Sequence, residues 1–176
     1  PRSTLFPYPP LFRSGVSRYL NRVWTLVTDY VEQEGGAGQA ETPAGRAVER
    51  RRHKTIARVG ADYEGLRFNT ALAALMEFVN GLNHAREDAP TLIHDPRYGA
   101  AVESLLTLLA PLAPHIAEEL WSRIGHTESI HHQPWPEFDP ALTVDEGITI
   151  GVQVNGKVRD TLLLAPGVTE EQVLEH

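Results

Sequence analysis

Pro111 and Pro114 interrupt the most apolar stretch of the chain, VESLLTLLAPLAPHIAEELWSRI at 102–124, and constrain the fold more than any other feature. Val102, Leu105, Leu106, Leu109 and, between the two prolines, Leu112 recur at three- and four-residue spacing, the apolar stripe of a helix. Proline lacks an amide donor and disfavours the helical region for the residue before it, so a kink or break is expected here. The period then resumes as Ile116, Ala117, Leu120, Trp121 and Ile124, with Glu118, Glu119, Ser122 and Arg123 on the other side. Two apolar helices meeting at a proline corner need other helices to cover them.

The chain supplies those partners upstream. Val16, Tyr19, Leu20, Val23, Trp24, Val27, Tyr30 and Val31 predict a helix beginning at Gly15, with Arg18 and Arg22 on its polar side. A glycine-rich loop from Glu34 to about Pro43 follows. A second helix is expected over 44–63, carrying the sparser apolar side Val48, Thr55, Ile56, Val59 and Tyr63. Asn69 reads as the cap of a third helix with Leu72, Leu75, Met76, Val79 and Leu82 on one stripe. Asp95-Pro96 reads as a cap followed by proline in the first helical position of the fourth. Helices with such short connections form an antiparallel bundle, here expected over 15–128.

Residues 129–146, with HHQPWPEFD at their centre, read as a linker. Beyond it Ile148, Ile150, Val152 and Val154 alternate with polar residues, Asn155-Gly156 is a type I′ hairpin signal, and Lys157 begins a return strand. Thr169 and Gln172 suit a capping box. Two strands and a helix fragment cannot close a core, so 147–176 is expected to be a truncated α+β domain. Residues 1–14 carry four prolines and show no helical period. Within them TLFPYPPLFRS resembles the translation of a sequencing-library adapter; the alternative is a disordered, proline-rich arm that binds a partner. On the first reading the chain is a fragment of something longer.

Composition excludes several classes. The 176 residues contain no cysteine, which rules out disulfides and thiolate metal sites and fits a reducing, cytoplasmic setting. No apolar run approaches the roughly 20 residues a membrane span needs, and no signal peptide is read at the start. The net charge of −7 argues against a nucleic-acid coat, so the distribution of charge matters more than its sum. Between Arg46 and Arg58 lie Arg46, Arg50, Arg51, Arg52, Lys54 and Arg58 against Glu49 alone, a local sum of +5. Such a run is ordinarily a solvated helix face; phosphate binding is the functional alternative.

Catalytic signals are absent. His126, His131 and His132 cluster in a linker, without the HExxH spacing that rigid zinc ligation needs, so metal binding is not expected. His115, at the apolar corner, reads as a hydrogen-bonded core histidine. Glu118 and Glu119 are sequence neighbours that point in different directions on a helix, not a facing acid–base pair. There is no glycine-rich phosphate loop and no GxSxG.

LLAPLAPHIAEELW at 108–121 resembles a signature of the anticodon-binding helical domain of class I aminoacyl-tRNA synthetases for aliphatic amino acids. GVSRYLNRVWTLV at 15–27, HKTIARV at 53–59, LRFNTALAALMEFVN at 66–80 and above all VQVNGKVRD at 152–160 are similar to the leucine-specific branch. The resemblance covers 15–176 and departs from the family only in 1–14. It implies part of an enzyme that joins leucine to its tRNA with ATP and magnesium. The HIGH and KMSKS motifs of the catalytic fold are not in this chain, which is therefore expected to be inactive alone and to hold no cofactor. The implied partners are leucine tRNA and the catalytic domain of the same, monomeric enzyme, with recognition carried by shape and backbone contacts. A stand-alone helical module that binds protein through its charged face is the alternative. Arg51, Lys54 and Arg58 share one side of their helix and are the first candidates for phosphate contact, followed by Arg50. Arg18 and Arg22 would extend the surface, and Lys157 and Arg159, expected on one strand face, are secondary. Trp24 and Trp121 sit on apolar stripes and read as core anchors rather than stacking platforms.

Overall fold

The computed structural model describes residues 10–33, 42–144, 148–154 and 157–164, with side-chain surroundings for 15–33 and 42–144. The 34–41 part of the glycine-rich loop, the Asn155-Gly156 turn and the Thr169/Gln172 cap fall outside the described residues. Among them five α-helices form one bundle: α1 (Pro10–Glu32), α2 (Pro43–Glu64), α3 (Phe68–Asp88), α4 (Pro96–Leu109) and α5 (Pro114–Arg123). α2 packs against α3 and α4, whereas α1 packs against α3 and α5. The mainly helical fold expected from the sequence is what is found.

The proline corner is where the sequence places it. α4 ends at Leu109, α5 opens with Pro114 in its first turn, and the amides of Leu112 and Ala113 close the connection onto the Leu109 carbonyl at 2.9 and 3.0 Å. Val102, Leu105, Leu106 and Leu109 are buried together with Ala117, Leu120 and Trp121. From the other helices Val23, Val27, Ile56, Val59, Leu75, Val79 and Leu82 complete one core. Each fully buried aliphatic side chain of this kind stabilises the fold by roughly 1.5–3 kcal/mol relative to exposure.

Two boundaries differ from expectation. α1 begins at Pro10, five residues before Gly15, with proline where its missing donor costs nothing. α3 begins at Phe68, so Asn69 lies in its first turn and is not the cap; Arg67 stands at that position without a side-chain capping bond. The cause is the tightness of the α2–α3 turn. Leu66 takes a positive φ of 54°, and Arg67 reaches back to Asp62 Oδ1 at 2.9 Å and the Ala61 carbonyl at 3.0 Å. The Asp95 cap forms as predicted, accepting from the Arg97 amide at 2.9 Å.

The expected linker lies against the bundle as a strap. Glu118 Oε2 accepts from Ser129 Oγ and the Ile130 amide, both at 3.0 Å, and Ile130 is buried in the core. Farther on, Trp135 packs edge-on against Tyr63 at 5.5 Å, and a 3-10 turn at Pro140–Thr143 rests on α2. Ile148–Val154 (β1) and Lys157–Leu164 (β2) pair antiparallel, Ile148 opposite Leu164 and Val154 opposite Lys157, with a register shift between Val152 and Gln153.

Candidate nucleic-acid interface

The basic helix α2 is fixed at both ends before any of its cations is placed. At its start Thr42 Oγ1 accepts from the Gly45 amide at 2.9 Å and donates to Asp95 Oδ2 at 3.3 Å. Gly45 must be glycine, because a Cβ there would collide with the Asp95 carboxylate. Asp95 in turn meets Arg97, whose Nε lies 3.1 Å from Glu49 on α2. This clasp joins the first turns of α2 and α4. At the other end the Arg67 guanidinium holds the Asp62 carboxyl below the usual carboxylate range.

With the helix so held, Arg51, Lys54 and Arg58 fall on one ridge and line a shallow cleft of about 160 Å³ between α2 and α3, with Thr55, Ala74, Glu77 and Phe78 as its other walls. The Arg51 guanidinium lies over Gly81 of α3, where a side chain would strike it. Arg58 Nη1 donates to Glu77 Oε2 at 2.6 Å; both side chains are half exposed or more, so the pair is solvent-screened and contributes little to stability. Among the described residues lining it, three cations stand against one carboxylate, a net positive sum suited to phosphate oxygens. Arg50 is half-buried on the same helix.

The remaining candidates scatter. Arg18 and Arg22 are exposed on α1, whose packing partners are α3 and α5, so they do not share the α2–α3 cleft. Lys157 pairs with Val154, and Arg159 falls at the register shift, with Val158 opposite Gln153 and Asp160 opposite Val152. Their side chains lie outside the described region. Trp121 is buried and donates from Nε1 to the Glu128 carbonyl at 3.1 Å, a core anchor as read. Trp24 is half-buried beneath the Arg123 guanidinium, 4.6 Å from its ring.

The histidines distribute differently from the sequence reading. His115 is exposed, not a core residue, because it precedes the Ile116–Ala117–Leu120 stripe and falls outside it. Among the described residues the buried histidine is His53, whose Nδ1 accepts from the Asp139 amide of the strap at 3.0 Å. Burial, then the Arg52 guanidinium 3.0 Å from Nε2, pushes its pKa below 6.5. Nδ1 can accept only in the neutral ring, so the tether needs the unprotonated form. His126 stacks on Trp121 at 3.7 Å and meets Glu103 at 2.9 Å, while His131 faces Glu118 at 4.0 Å. Among the described residues no group of His, Asp and Glu is placed to hold a metal ion, and no helix is long and apolar enough to cross a membrane.

Sequence reading also missed the strap's aromatic contacts. PWPEF at 134–138 signals them only through an aromatic between prolines. Trp135, Phe138 and Phe68 remain 42%, 45% and 48% exposed.

The comparisons with known proteins fit this geometry. A family profile described as "Anticodon-binding domain of tRNA ligase" matches residues 45–174. A leucine–tRNA ligase of Prosthecochloris aestuarii is 49% identical over 160 residues, 91% of this chain and 18% of that protein. One from Mycobacterium avium is 50% identical over 157 residues, 86% of the chain and 15% of the relative. Among solved structures, the ternary complex of Agrobacterium radiobacter K84 agnB2 LeuRS with tRNA and LeuAMS superposes with a TM-score of 0.68 at 32% identity, covering 92% of this chain and 21% of that one. The chain thus spans about a fifth of the length of the relatives it matches.

Proposed function

The chain belongs to the family of anticodon-binding domains of tRNA ligases, and from that premise we propose that it is the tRNA-binding portion of a leucine–tRNA ligase. The observation that carries the proposal is the ridge of Arg51, Lys54 and Arg58 on a helix held at both ends, within a domain whose relatives are leucine–tRNA ligases. The ridge would neutralise phosphates of leucine tRNA and read duplex shape rather than base identity. Arg50, Arg18, Arg22, Lys157 and Arg159 would add weaker contacts along the backbone. In this reading β1 and β2 open a C-terminal α+β domain, and the whole enzyme is a cytoplasmic monomer in which this portion adjoins the catalytic domain. Leucine activation with ATP and magnesium would belong to that catalytic part, since HIGH and KMSKS motifs are not found in this chain. The family match disfavours a stand-alone protein-interaction module.

The test is a titration of the 176-residue chain with leucine tRNA across a range of salt concentrations. Replacing Arg51, Lys54 and Arg58 together by alanine should lower the slope of log affinity against log salt by about 2–3 and weaken several tRNAs by a similar factor. An unchanged slope would remove the α2 ridge from the interface.

A further inference from the structure

Away from the basic ridge, at the end of the bundle where α2 passes into α3, lies an exposed patch with different chemistry. Tyr63, Phe68 and Trp135 line a groove of about 540 Å³ together with Gly60, Glu64 and Pro111. The rings pack into one continuous aromatic surface: Trp135 stands edge-on to Tyr63 at 5.5 Å and 73°, and Phe68 tilts against Tyr63 at 5.9 Å and 50°. Tyr63 is fixed by its hydroxyl, which donates to the Leu108 carbonyl at 2.8 Å. A second groove of about 620 Å³ between α2 and the strap shares Trp135, Gly60 and Glu64 with the first and adds Phe138 and Glu137.

The charge of this region is opposite to that of the ridge. Among the described residues, Glu64 and Glu137 are the only charged side chains lining either groove. The arginines on either side along the chain are committed elsewhere, Arg58 to Glu77 and Arg67 to Asp62. Two carboxylates repel phosphate, which makes the grooves a poor seat for RNA despite the aromatic rings. Aromatic faces carry negative quadrupole potential, and with adjacent carboxylates they attract a cation whose stem is apolar.

We infer that the Tyr63–Phe68–Trp135 groove is a docking site for an arginine or lysine side chain of a protein segment, laid against the rings and paired with Glu64. The site is independent of the tRNA reading, and either can fail without the other.

The experiment follows the Trp135 indole N–H of the isotope-labelled full chain by NMR, with the resonance assigned from Trp135→Phe. The probes are acetyl-arginine amide and its neutral near-isostere acetyl-citrulline amide. The arginine derivative should shift the resonance saturably with a dissociation constant of roughly millimolar, and bind at least about threefold more tightly than the citrulline derivative. Glu64→Gln, which leaves every ring in place, should remove most of that preference without weakening tRNA binding. Equal response to the two probes, no saturable response, or a response to uridine monophosphate with none to arginine would each overturn the assignment, the last in favour of a nucleobase site.

Discussion

α4 and α2 are packed against each other and could hardly be used more differently. α4 buries Tyr98, Ala101, Val102, Ser104, Leu105, Leu106, Leu108 and Leu109 among its 14 residues, so nearly every turn is spent on the core. α2 is longer, 22 residues, yet buries only seven, and its exposed side carries the cations. The motif that most clearly marks the family begins at the end of α4 and is almost wholly structural. The residues that suit phosphate lie on the helix whose apolar stripe is sparsest. In this bundle the diagnostic sequence and the proposed tRNA-binding surface are different stretches, joined by the clasp of Thr42, Asp95, Arg97 and Glu49.

Substitutions can break that contrast. The largest effect is expected from Leu105→Ala, which opens a cavity at a fully buried position and should cost about 2–5 kcal/mol in thermal or chemical unfolding. An equally large loss from Arg58→Ala would erase the distinction between the two helices, since an exposed change of this kind should stay within about 0.5 kcal/mol. Next is the strap tether. His53→Ala leaves the amide of the exposed Asp139 without its protein acceptor and should cost about 0.5–1.5 kcal/mol. The same tether predicts a pH dependence. His53 has a folded pKa below its ordinary 6.5, so its contribution is complete above that pH and fades as pH falls through the lower folded value. Unfolding midpoints measured from pH 7.5 down to 5 should decline more steeply in the parent chain than in the alanine variant. Thr42→Ala removes a capping acceptor and should cost about 1 kcal/mol. Smallest of all, Glu77→Gln should leave stability nearly unchanged while raising RNA affinity by about twofold at low salt, because it releases Arg58.

Much of this was legible from local sequence, and the failures share a cause. Periodicity located the five helices and the proline corner because burial in a bundle is written every three or four residues. The Asp95-Pro96 cap was legible for the same local reason. The start of α3 was not, since a positive φ is ordinarily assigned to glycine; here Gly65 keeps an ordinary φ of −82° and Leu66 takes the left-handed turn. The exchange of roles between His115 and His53 was equally hidden. His53 is buried through a contact with Asp139, 86 residues along the chain, which no local pattern encodes. The ridge of Arg51, Lys54 and Arg58 was visible as helical spacing, but its cleft depends on Glu77 and Gly81 of the next helix.

The strap has one more consequence, in reach rather than stability. Because Pro140–Thr143 rests on α2, the chain is tied down close to the point where it resumes as β1 at Ile148. The four peptide units from Val144 to Ile148 extend to about 14 Å at most. The first residue of β1 is thus leashed near the basic helix, while Lys157, opposite Val154, stands a strand length of roughly 20 Å farther out, so the proposed RNA contacts of Lys157 and Arg159 would be tethered to those of the ridge over that longer reach. Tethering of this kind would let contacts too weak to capture RNA from solution form once the first has been made.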